Sequence, residues 1–155
     1  MNDETPISIV LYDVDFPDYY VNQAHPSDYT LLPEFIPQFI YNDRDFHDRL
    51  LLRISFKLGD NQFIPITFVC DTGAPRYLYL SPQTIDILKN SGRYLISEEL
   101  GTKYIVIAST GKKIPIQETP THHRNINIMG LKCLGRFKLR VDENTFSFDN
   151  LPEYF

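Results

Sequence analysis

The chain has only two cysteines, Cys70 and Cys133, and they form neither a disulfide framework nor a zinc-ligand pattern. A reducing, cytoplasmic setting with no metal and no cofactor is the expectation that follows. Long apolar runs are also missing, which argues against a membrane partner. The first residues, Met1-Asn2-Asp3-Glu4-Thr5, lack the basic start of a secretory signal. Lysine and arginine are scattered instead of clustered, so no nucleic-acid partner is expected. No repeat or low-complexity segment occurs, and tryptophan is absent although tyrosine and phenylalanine are plentiful. What remains is an ordinary globular composition over 155 residues, enough for one domain with a real core.

Charge divides the chain. Residues 1–48 carry ten acidic residues and one arginine, a net of -9, and residues 49–155 carry a net of +4. Residues 1–46 also hold five prolines, which oppose long helices, and nine tyrosine or phenylalanine residues, which oppose simple disorder. We read 1–46 as an acidic, aromatic- and proline-rich N-terminal arm, with Ile7 to Tyr12 as a candidate strand, and 47–155 as the folded body. Opposite charge would let the two attract. An autoinhibitory role and a structural role for the arm both fit this pattern.

The body reads as mainly β. Leu52, Ile54, Phe56 and Leu58 alternate onto one face, Gly59-Asp60-Asn61 supplies turn chemistry, and Phe63 to Val69 returns. Pro65 fits near a strand start or on an edge. Tyr77 to Leu80 is a short strand. Ser81-Pro82 is a helix N-cap followed by proline at the first helical position, and Asn90-Ser91-Gly92 stops that helix. Tyr104 to Ala108 and Ile114 to Gln117 flank the turn Ser109-Thr110-Gly111-Lys112. Asn125 to Met129 is an apolar strand ending at Gly130, Leu131 to Phe137 a short helix, and Phe137 to Val141 and Thr145 to Phe148 a last hairpin.

The chemistry centres on Phe68-Val69-Cys70-Asp71-Thr72-Gly73-Ala74, where a carboxylate ends an apolar strand beside residues that can turn. Alone, that triplet is also an ordinary turn. Other polar residues invite simpler readings. His122 and His123, adjacent on an extended segment, point to opposite faces and fit a solvated loop. Asp13, Asp15 and Asp18 lack the glycine and terminal glutamate of a calcium loop. Cys70 has no evident histidine partner and reads as a small buried residue.

Taken in order, the hairpin, Asp71-Thr72-Gly73-Ala74, the Leu80-Ser81-Pro82 step into a helix, the glycine-tipped hairpin, Ile128-Met129-Gly130 and the run to Phe148 resemble the retropepsin-like aspartic proteases. The resemblance covers roughly residues 49–150. It implies an all-β fold, a closed β-barrel subunit with one or two short helices and here an N-terminal extension. It further implies an aspartic endopeptidase acting on polypeptides as a homodimer, with Asp71 catalytic and Thr72, Gly73 and Ala74 forming the active-site loop. Thr72 would brace the two loops. Ser109, Thr110 and Gly111 would tip the flap, and Ile128, Met129 and Gly130 would form the structural second motif. A non-catalytic dimerisation or peptide-binding module with the same fold is the alternative. The chain departs from the family pattern at Pro75-Arg76, where small polar or acidic residues are usual, and at Leu131-Lys132, where arginine or an acidic residue is common.

Overall fold

The computed structural model describes residues 38–42, 48–119, 126–141 and 146–155. Sequence readings at Ile7 to Tyr12, Asp13, Asp15, Asp18, His122 and His123, and at the turn of the last hairpin, lie outside these residues. The described chain is mostly β with two short helices. None of its helices is long and apolar enough to cross a membrane.

The alternating apolar run becomes strand β2 (Asp48–Gly59), which turns through Asp60 and Asn61 into β3 (Gln62–Cys70). Asn61 takes a positive φ of 56°, a conformation asparagine tolerates, and this tightens the turn. Pro65 pairs with Ser55 at a point where no described strand borders β3 on its other side, so its missing N–H costs no ladder bond among the described residues. The edge of β2 near its start is covered by β1 (Gln38–Asn42), which lies inside the segment read as the arm.

Both faces of β2 and β3 are packed. Leu52, Ile54, Phe56, Ile64, Ile66 and Phe68 enter the main core, and Leu51 and Val69 join Tyr79, Ile126 and Ile128 in a second cluster. An isolated hairpin would be marginal in water, so burial on two faces is what holds this one straight.

The remaining elements are β4 (Leu78–Leu80), α1 (Pro82–Asn90), β5 (Tyr94–Glu99), β6 (Thr102–Ile107), β7 (Lys113–Glu118), β8 (Asn127–Met129), α2 (Leu131–Arg136), β9 (Leu139–Val141) and β10 (Phe146–Phe148). The main sheet runs β1-β2-β3-β8-β4-β7-β6-β5, with β9 and β10 as a separate pair. Strand β8 is parallel to β3 and antiparallel to β4, so it wedges between two strands that are consecutive in the chain.

Three differences from the sequence reading stand out. Strand β5 was not signalled by the pattern, because it is an edge strand whose outer half reads Ser97-Glu98-Glu99. The mainly β fold with two short helices is present, and among the described residues the sheet is open: β1 and β5 are edges of the ladder and do not pair with each other. The final segment is a core element. Phe155 packs on Phe56 and Phe137 at centroid distances of 4.9 and 5.9 Å, its N–H donates to Ser55 O, and its oxygen accepts from Lys57 N.

Candidate functional site

Asp71 stands one residue beyond β3, where the parallel β3–β8 ladder ends at Cys70 opposite Met129. Its N–H donates to Met129 O at 3.0 Å, extending the ladder by one bond. Its side chain is fully buried, and Oδ1 accepts from Gly73 N at 2.8 Å while its carbonyl accepts from Ala74 N at 3.1 Å. Locally this is an Asx turn closed by a second main-chain bond, so the simple turn reading and the site reading describe the same atoms. Thr72 and Gly73 are exposed, and Ala74 is partly buried.

The underside of this loop is built by Gly130. Its N–H donates to Tyr77 O at 2.8 Å, Leu131 N donates to Ala74 O at 2.7 Å, and Lys132 N donates to Arg76 O at 3.2 Å. These are N–H groups at the start of α2, which has no side-chain cap. The loop carbonyls satisfy them instead. A Cβ on residue 130 would lie 2.2 Å from Arg76 O and 2.8 Å from Ala74 O, both main-chain atoms, so only glycine permits this approach. Ile128 and Met129 are buried in the strand that leads into it.

Two residues that the sequence did not single out complete the support. The Tyr79 hydroxyl accepts from Arg76 N at 3.0 Å and pins the end of the loop. Asn127 is fully buried in an apolar strand, and its Oδ1 accepts from Ser81 N at 2.8 Å. A polar side chain out of pattern in such a strand is the signal that could have found it, because burial without a partner is costly. Ser81 in turn caps α1 through its hydroxyl, which accepts from Thr84 N.

The thiols beside the loop are held neutral. Burial, then Cys133, then the Asp71 charge raise the Cys70 pKa well above that of a free thiol. Burial pushes Cys133 up to about 12, against the opposing pull of a Tyr77 hydrogen bond and Arg136. Burial, with Cys133 next, pushes Tyr77 up to about 12. Neither cysteine is placed for nucleophilic or metal chemistry. Among the described residues no group of three or more His, Cys, Asp or Glu side chains could hold a metal ion.

Ser109, Thr110 and Gly111 do form the β6–β7 turn, and Gly111, at φ 75°, is the residue the turn requires. That turn is tied to Ile107 and, through Ala108, to Arg93 at the start of β5. A cavity of about 230 Å³ beside Arg76 and Tyr77 is lined by Thr102 and Tyr104 of β6 and by Pro115, Ile116 and Gln117 of β7. The tip of the β5–β6 hairpin, Leu100-Gly101, has φ of 51° and 82°, and Leu100 is fully exposed.

No protein-family model matches this chain, and no curated protein matches it. Among solved structures it is similar to the retroviral protease-like domain of Ddi1 from Leishmania major, with a TM-score of 0.36 and 17% identity, over 66% of this chain and 92% of that one.

Proposed function

We propose that this chain is one subunit of a homodimeric aspartic endopeptidase of retropepsin type. The observation that carries the reading is the loop of Asp71-Thr72-Gly73 set on the end of a parallel strand pair and seated on Gly130. A sequence motif that was weak alone thereby acquires a dedicated support.

Peptide hydrolysis of this kind needs two carboxylates a few ångströms apart. One subunit supplies one Asp71, so a two-fold pair of loops supplies both, with the exposed Thr72 and Gly73 as the contact surface. Like charges that close cannot both ionise, and the pair shares a proton whose titration belongs to both. The ionised member takes a proton from water as the water attacks the peptide carbonyl. The protonated member donates a hydrogen bond to that carbonyl oxygen. No covalent intermediate is needed.

Two hairpins are candidates for the covering role: the one tipped by Ser109, Thr110 and Gly111, and the β5–β6 hairpin. The latter borders the loop, and its tip holds an apolar side chain in water until something covers it. One observation favours the second reading, a peptide-binding module without activity: Asp71 is fully buried and engaged in its own turn. Activity assays decide between the two. Pepstatin-sensitive cleavage of peptides by the full chain, lost by about 10²- to 10⁴-fold in Asp71→Asn, is the expected result. Equal cleavage by the parent and Asp71→Asn would sink the enzymatic reading. A dimer inactive over a broad range of pH and peptides would leave the binding module.

A further inference from the structure

The two departures from the family pattern, Pro75-Arg76 and Leu131-Lys132, meet in space. Arg76 and Lys132 line one cavity of about 230 Å³ together with Tyr77, Thr102, Tyr104 and Gln117, and among the described residues its lining contains no acidic side chain. Both cations are exposed side chains, and neither makes an ion pair among the described residues. Nearby pairs are satisfied elsewhere: Lys103 lies against Glu118 and Lys113 against Glu99.

Two unpaired positive charges in one cavity repel each other and gain from an anion between them.

The cavity is fixed to the catalytic loop. Arg76 O and Ala74 O are held by the N–H groups of Lys132 and Leu131, and Ala74 N is held by Asp71 O. Its other wall is formed by Thr102 and Tyr104 of β6 with Pro115, Ile116 and Gln117 of β7. The cavity is thus joined through main-chain bonds to the Asp71 loop, and its volume suits one side chain.

We infer that this cavity selects substrates carrying an aspartate or glutamate close to the scissile bond, with Arg76 and Lys132 as the specificity-determining residues. The inference rests on the endopeptidase reading and names its substrate class. The folded loop does not depend on these side chains, because its bonds at positions 76 and 132 come from main-chain atoms.

The test uses the full chain and a set of peptides with a central statine, which mimics the attacked carbonyl and is not hydrolysed. Members of the set differ only in Glu, Gln or Lys at one flanking position, scanned along the peptide. At one position Glu should bind about 5- to 20-fold tighter than Gln, and Lys should bind worst. The Glu-to-Gln ratio should fall towards one in Arg76→Gln and in Lys132→Gln, recover in Arg76→Lys, and invert between Glu and Lys in the double variant Arg76→Glu/Lys132→Glu. Thermal melts of each variant establish that it is folded. Equal binding of Glu, Gln and Lys peptides at every position overturns the specificity inference and leaves the endopeptidase reading standing. Failure of every statine peptide to bind, together with no peptide cleavage, overturns both.

Discussion

The two short helices follow strands in the same way but begin by different means. Helix α1 starts on its own sequence: Ser81 accepts from Thr84 N, its hydroxyl donates to Thr84 Oγ1, and Pro82 has no N–H that needs an acceptor. Helix α2 starts on residues more than fifty positions away. Its first N–H groups are taken by carbonyls of Ala74, Arg76 and Tyr77, and glycine at 130 lets those carbonyls approach. The first start could form in an isolated peptide. The second exists only when the Asp71 loop is already in place, so folding α2 and shaping the site are one event.

The difference is most easily broken at Gly130. Gly130→Ala forces main chain against main chain, and we expect a loss of about 3 kcal/mol or more, measured by chemical denaturation. Peptide binding should be lost with it, since Arg76 and Ala74 must move. An unchanged denaturation midpoint would mean that the loop and α2 are not joined as described.

A smaller effect is expected where α1 meets the tertiary structure. Asn127→Leu leaves the buried Ser81 N–H without its acceptor and should cost about 1–3 kcal/mol. Ser81→Ala removes the local cap and should cost about 1 kcal/mol. That order sharpens the comparison, because even the locally encoded helix depends on a strand forty-six residues away in sequence. If Ser81→Ala proved the more damaging of the two, α1 would be the more autonomous element.

The mildest test is pH. Tyr77 and Cys133 cluster at α2 and its loop, and both are pushed up to about 12 from ordinary values of 10.0 and 9.0. Both are neutral when protonated, and folding keeps them so. Their contribution is therefore complete below about pH 9 and is lost as pH rises from there through about 12. Denaturation midpoints at pH 8, 9.5 and 10.5 should fall gradually, and the native thiols should resist alkylation at pH 8. Rising stability across that range would contradict the buried placement of these groups.

Much of this could be read from the chain because the signals were local. The alternation of Leu52, Ile54 and Phe56, the Asp60-Asn61 turn, Ser81-Pro82 and the glycines at 111 and 130 each announce an element within a few residues. Tyr94–Glu99 could not be read in this way, since its Glu98 and Glu99 look like solvated loop and only pairing with β6 makes them a strand. Phe155 could not be read either. A phenylalanine seven residues past the last predicted strand carries no sign that it will fill the core beside Phe56.

The sequence by itself determined that an acidic residue follows an apolar strand, that a glycine follows another, and that both belong to a β domain. Period-two patterning and turn chemistry are short-range properties, and they survive in any context. Only the tertiary structure decided that Met129 would hold Asp71, that Gly130 would lie under Arg76, and that two cations from distant segments would share one cavity. Those contacts depend on β8 threading between β3 and β4, and a chain of residues does not state which strand will be its neighbour until burial on both faces selects one.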